Sequence, residues 1–267
     1  KDGKKFKLTG DLTLHGKTQS ETFDVEYLGT EKDPWGTVKS SFTASTTMTV
    51  AGTVWKSLVL LCILTMTAAV SWSMVERGEM NPILLFGSAI GALVVGLITS
   101  FKPTTAPWTA PLYAALEGLF LGAISRVVEM RFPGLPVQAV ALTLGTTFCM
   151  LMVYATGLIK VTPRFAAGLC AAMGAVFLVY IASFILSFFG IAFLTVSDTS
   201  IGSIIFSFVV VGIAAFSLLL DFDQIEQGAA YAAPKYMEWY GAFGVMVSLV
   251  WLYFEILKLL MKLQSRD

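Results

Sequence analysis

From Trp55 onward the chain repeats one pattern, a long apolar run followed by a short polar break. Seven of these runs are long enough to cross about 30 Å of hydrocarbon as helices. They fall at approximately 55–75, 82–101, 109–128, 137–159, 165–189, 201–221 and 238–261. Connections as short as Glu76–Asn81 and Lys160–Arg164 predict antiparallel neighbours. Glycines at Gly87 and Gly91, and again at Gly118 and Gly122, stand four apart, a spacing that lets two helix backbones approach closely.

Ahead of these runs the period changes. Phe6, Leu8, Leu12 and Leu14 alternate with polar residues, and Phe23, Val25 and Tyr27 do so again after a turn at His15-Gly16-Lys17-Thr18. Alternation with period two predicts a β-hairpin, with a loop after it. So few apolar positions bury no core, so residues 1–46 are expected to need a partner. They also lack the features of a signal peptide. The fold expected is therefore all-α and membrane-embedded, a seven-helix bundle over residues 47–267 with a short β-type segment at 1–46 in front.

Composition agrees. The 267 residues are 56% hydrophobic and 13% charged, with a mean hydropathy of +0.75, which makes the lipid bilayer the expected partner. Residues 1–54 carry 14 of the 36 charged side chains. Basic and acidic residues balance at 18 each, so no positive field recruits nucleic acid. Cys62, Cys149 and Cys170 lie inside apolar runs without metal-ligand spacing and are expected as small packed hydrophobes. His15, the single histidine, sits in the expected turn as a solvated side chain. Loop charges number five on one side (Lys56, Lys102, Lys160, Arg164, Lys235) and six on the other (Arg77, Arg126, Arg131, Lys258, Lys262, Arg266). Leaving out the termini tips this balance weakly toward an N-terminus in the cytoplasm.

Ionisable groups within the spans are the candidate functional residues, because a charge in hydrocarbon must find a partner or water. Glu117 lies near mid-membrane in the third span, facing the bundle interior. Arg126 is close enough to its span end to snorkel into a surface ion network with Glu129 and Arg131. Asp221 ends the sixth run, with Asp223 just beyond, and Glu255 sits deep in the seventh with Lys258 three residues on. Their plain structural readings are a helix-end carboxylate and an i,i+3 ion pair.

Two resemblances follow from particular stretches. FKLTGDLTLHGKTQSETFDVEYLG and KDPWG, at 6–29 and 32–36, resemble part of the YceI family of secreted lipocalin-like barrels. A quarter of a barrel has no closed cavity, so lipid binding is not carried over, and a piece joined by fusion or as an artefact is expected. A secreted segment there would require the orientation opposite to the one the loop charges favour. LLLDFDQIEQG (218–228) and PKYMEWYGAFGVMVSLVWLYFEILKLL (234–260), with MTVAGTVWKSL (48–58) and YAALEGLFLGAIS (113–125), resemble the bacterial branch of the Bax inhibitor-1 family over about 48–267.

That second resemblance implies a multi-pass protein of the bacterial inner membrane acting as a pH-sensitive calcium leak. An acid on the sixth helix and one on the seventh share a proton in this scheme, and Asp221 and Glu255 occupy the matching positions. Two carboxylates pressed together in low dielectric cannot both ionise cheaply, which would make such a pair a pH sensor. Lys102 matches the basic residue that holds the sixth-helix acid, and Glu117 and Asp223 are further ion-pathway candidates. Calcium is expected only as the ion carried, through weak contacts at Asp221 and Glu255, with no cofactor. The sequence departs from the family pattern in having Glu at the second acid, Lys in place of Arg, and a longer loop from Gln227 to Met237. Other membrane proteins are expected partners, and a non-transporting regulator that binds a membrane protease is the alternative. Enzymatic readings fare worse: serine or zinc chemistry needs a histidine within the spans, and an aspartyl-type site would have to be built from Asp221 and Glu255.

Overall fold

The computed structural model describes residues 5–14, 17–32, 38–189 and 200–266. Three antiparallel strands come first, in the order β1 (Lys5–Leu14), β2 (Lys17–Lys32) and β3 (Val38–Thr46). Leu14 pairs with Lys17 at the closed end of the first hairpin, and β2 shifts register against β3 between Tyr27 and Gly29. The expected loop after the hairpin is thus corrected to a third strand, in a stretch rich in β-branched residues (Val38, Thr43, Thr46). His15 and Gly16 of the expected turn lie outside the described residues.

Seven helices follow: α1 (Val50–Glu76), α2 (Pro82–Phe101), α3 (Ala106–Arg131), α4 (Leu135–Ala155), α5 (Pro163–Phe188), α6 (Ile201–Ala230) and α7 (Met237–Gln264). All seven are long and apolar enough to cross a membrane. Their starts are written in the sequence. Thr49 caps α1 by accepting the Gly52 N–H, Asn81 precedes Pro82, and Thr162 precedes Pro163, an N-cap followed by a proline whose missing N–H would be unused there anyway. Gly134, at φ +81°, makes the left-handed turn into α4, and its N–H is held by the Glu129 carboxylate at 2.9 Å.

Helices α3, α6 and α7 form the centre, with about half of each apolar stretch buried, against 11–17% for the other four. The peripheral helices turn large apolar side chains outward, among them Phe86, Ile90, Phe148 and Phe184, as a lipid-facing surface does. The Glu76 carboxylate and the Arg126 guanidinium meet at 3.4 Å, so α1 and α3 end on the same side. On the opposite side Thr47 bridges Pro234 and the Tyr154 hydroxyl bonds to Glu226. The helices therefore alternate in direction as the loop lengths require. Arg126 also stacks over Trp72, 5.5 Å from the ring centroid, which corrects its expected network with Glu129 and Arg131. The three cysteines are free and exposed on the outer surface instead of packed inside.

Of the two glycine pairs, only one lies against another helix's backbone; in the other, a Cβ at Gly91 would press on the Leu116 side chain at 3.2 Å. A Cβ added at Gly122 would run into the Ala68 carbonyl, and one at Gly118 into the Leu64 carbonyl and Thr67. Ser71 donates across the same α1–α3 seam to the Leu119 carbonyl at 2.5 Å. At Gly87 an added Cβ meets nothing within 4 Å. Backbone atoms cannot move aside as a side chain can. Gly122→Val is therefore expected to destabilise the bundle by about 3 kcal/mol, read from SDS-titrated unfolding, while Gly87→Val leaves the midpoint where it was. Equal midpoints for the two variants would contradict this assignment of the seam.

Candidate functional site

The contact between α6 and α7 is built from small and polar residues. On α6 the buried positions Ser203, Ser207, Val210, Ala214 and Ser217 recur at steps of four and three, and Asp221 takes the next step. This is the spacing of a packing seam. On α7, Ser248, Glu255 and Lys262 are buried at intervals of seven and share one face. At one end Lys262 Nζ donates to Ser207 Oγ at 2.9 Å and to Ser203 Oγ at 2.6 Å. At the other end Asp221 stands against Gly244 and Ser248 of α7. These two contacts fix the antiparallel register and show that polar side chains line the seam through most of the membrane depth.

Asp221 fits because residue 244 is glycine: a Cβ there would sit 3.1 Å from Asp221 Oδ1. The other oxygen, Oδ2, is enclosed and has no hydrogen-bond partner among the described residues. Such an atom forgoes the water it would have had outside. The sequence placed Asp221 at a helix end, but α6 continues to Ala230, so the residue lies inside the helix. Asp223 accepts from Gln227 Nε2 at 2.6 Å one turn further on, which keeps that last stretch helical.

Glu255 is 2% exposed and fully partnered. Its Oε2 accepts from the Tyr180 hydroxyl at 2.8 Å, and its Oε1 accepts from Lys258 Nζ at 2.7 Å and Trp251 Nε1 at 3.1 Å. The expected i,i+3 pair is present. Direct proton sharing with Asp221 is not: Ser248 and Glu255 are seven residues apart, about 10 Å along a helix axis, and Trp251 lies between them. Lys102 caps the end of α2, exposed, and forms no ion pair with Asp221 among the described residues. Glu117 is 8% exposed on α3, one helical turn beyond Tyr113. Tyr113 packs edge-on against Phe243 at 5.1 Å and Ser125 bonds to Tyr253 at 2.7 Å, which puts Glu117 at the depth of Asp221 but on the α3 side of α7. No three metal-binding side chains converge among the described residues.

The model for the family described as Bax inhibitor 1 like matches residues 14–265. The chain belongs to that family. The match takes in all seven helices and begins inside β1, ahead of residue 48 where the sequence likeness was read. Other relatives match short stretches. A UPF0312 protein of Pseudomonas putida (strain W619) is 51% identical over 41 residues, covering 15% of this chain and 21% of that protein. One of Photorhabdus laumondii is 47% identical over 45 residues, 17% and 23%. One of Vibrio parahaemolyticus is 43% identical over 47 residues, 18% and 25%. The chain thus spans about a fifth to a quarter of the length of these curated relatives. No solved structure matches it.

Two features of this Bax inhibitor 1 like bundle escaped the sequence reading. Tyr180 was one aromatic among many in the fifth run. Glu238, in the quoted PKYMEWYG stretch, is fully buried and accepts from Thr49 N and Oγ1 at 2.9 Å each, from Lys56, and from Lys235 at 3.1 Å. The signal for it was present: an acid three residues after a lysine, at the start of a span, with a lysine at the start of another.

Proposed function

We propose that this protein is a proton-responsive cation leak of a bacterial inner membrane, with calcium among the ions passed and no chemical step. The observation that carries the reading is the polar α6–α7 seam, which ends on the enclosed Oδ2 of Asp221, without a hydrogen-bond partner among the described residues. A carboxylate held there is neutral when protonated. When ionised it is a desolvated negative charge whose compensation is a cation. Asp221 and Glu255 act as gating carboxylates at two depths of one route, and Lys102, Asp223 and Glu117 stand as ionisable groups toward its ends and flank. The inner membrane fits because bacterial outer-membrane proteins span as β-barrels.

The test is purified protein in liposomes with a trapped calcium-sensitive dye. Flux is expected to rise several-fold as the pH is raised, because an ionised Asp221 leaves a charge that a cation compensates. Flux no greater than in protein-free liposomes at every pH would defeat the leak and favour a regulator that acts by binding another membrane protein.

A further inference from the structure

In a bilayer, apolar faces gain nothing by leaving lipid for one another, so helices stay together through close backbone approach and polar bonds. Helix α1 has both on α3, through Gly118, Gly122 and Ser71. Helix α5 lacks the first. A Cβ added at Gly168 or Gly174 would meet nothing within 4 Å, and only Leu169 and Val176 of its residues are buried. Its outer face carries Phe177, Leu178, Phe184 and Phe188, which lipid solvates wherever the helix stands. Edge-on ring contacts join α5 to α6, Phe165 to Phe216 at 6.2 Å and Tyr180 to Phe206 at 6.4 Å.

The polar tie of α5 to α7 is concentrated in one atom. The Tyr180 hydroxyl donates to Glu255 Oε2 at 2.8 Å and accepts from Lys258 Nζ at 3.0 Å, with that ammonium 4.4 Å from the ring centroid. The hydroxyl thereby closes a ring with the Glu255–Lys258 pair, and the phenol lies over the seam at that depth. Charge-assisted hydrogen bonds of this kind are the strong ones.

We propose that Tyr180 is a latch that holds α5 closed over Glu255 and Lys258, and that α5 is the movable wall of the α6–α7 route. This rests on the leak reading for its purpose but not for its test. When Tyr180 lets go, α5 moves outward at little cost against lipid and uncovers the Glu255 carboxylate. Tyr180 is a positioning residue: it acts on the ion through Glu255.

The test uses the full chain with Cys62, Cys149 and Cys170, all exposed, replaced by Ala. Single reporters Val176→Cys and Leu169→Cys are placed on the buried face of α5, and Thr143→Cys, 6% exposed on α4, reports general loosening. Reaction with a charged methanethiosulfonate is timed in proteoliposomes, alongside dye flux. Tyr180→Phe removes only the hydroxyl and keeps both ring contacts. The expected result is roughly three- to twentyfold faster modification of both α5 reporters, the range of one interhelical hydrogen bond, with Thr143→Cys unchanged and calcium flux raised. Faster modification without flux in either protein would keep the latch and defeat the leak. Unchanged modification in Tyr180→Phe, or α5 reporters that react as fast in the parent, would overturn the latch even if flux is robust. Acceleration at Thr143→Cys as well would overturn it too, since the hydroxyl would then hold the whole bundle together.

Discussion

Glu238→Ala is expected to lower the stability of the bundle by about 3 kcal/mol, because removing one partner of a buried ion pair leaves the other charges without compensation. The carboxylate is fully buried, and four donors converge on it: the Thr49 N–H and hydroxyl, Lys56 and Lys235. These join the start of α1 to the start of α7. Lys235 is 38% exposed and can turn to solvent, whereas Lys56 is 18% exposed and stacks 5.6 Å from the Trp239 ring. The order of effects follows. Glu238→Ala should cost most, Glu238→Gln less because an amide oxygen still accepts from Thr49, and Lys235→Ala under about 1 kcal/mol, as for other exposed pairs. SDS-titrated unfolding of the three variants checks this ranking. A loss within about 0.5 kcal/mol for Glu238→Ala would mean that the clamp contributes nothing.

The neighbouring strap explains why this corner is closed. Met48 N–H donates to the Ala233 carbonyl at 2.7 Å. Its side chain is 4% exposed and lies against Gly228, where an added Cβ would come within 2.8 Å of the Met48 sulfur. The chain entering α1 is thus bound to the α6–α7 connection before the membrane helices begin.

Much of this fold was legible in the sequence because hydropathy reports directly on solvent. Seven apolar runs gave seven helices, and short breaks gave their alternation. What hydropathy does not report is register. Asp221, half-buried with one oxygen enclosed, and Glu255, buried, are acids on sequential helices, but whether they meet depends on how far α6 slides against α7, and that is set by Ser203, Ser207 and Lys262 at one end and Gly244 at the other. The end of α6 was misplaced for a related reason: its last turns are charged, so they leave the apolar run without leaving the helix. Gly118 and Gly87 carry the same spacing in sequence, yet only the first faces another backbone. The readable signal that went unused was the period of Ser203, Ser207, Ser217 and Asp221, which marks one polar face along α6.

The second large effect concerns Asp221. Asparagine keeps the shape but can never carry the charge, so Asp221→Asn fixes the site in its neutral state. Loss of a unit charge about 4 Å from a passing cation is worth roughly 4 kcal/mol at an effective dielectric of 20, so flux at high pH should fall at least about tenfold even after generous screening. Glu255→Gln acts about 10 Å away on different partners, so the effects of the two substitutions should add. A shared proton would make them non-additive.

The measurement that bears most directly on the leak is the pH profile of calcium flux into dye-loaded liposomes carrying Asp221→Asn, beside the parent at equal insertion. The expected profile stays near the parent's low-pH flux across the range, with the rise toward alkaline pH gone. A profile that still rises as the parent's does, from protein folded and inserted at normal levels, would contradict the account and return Asp221 to a packing role.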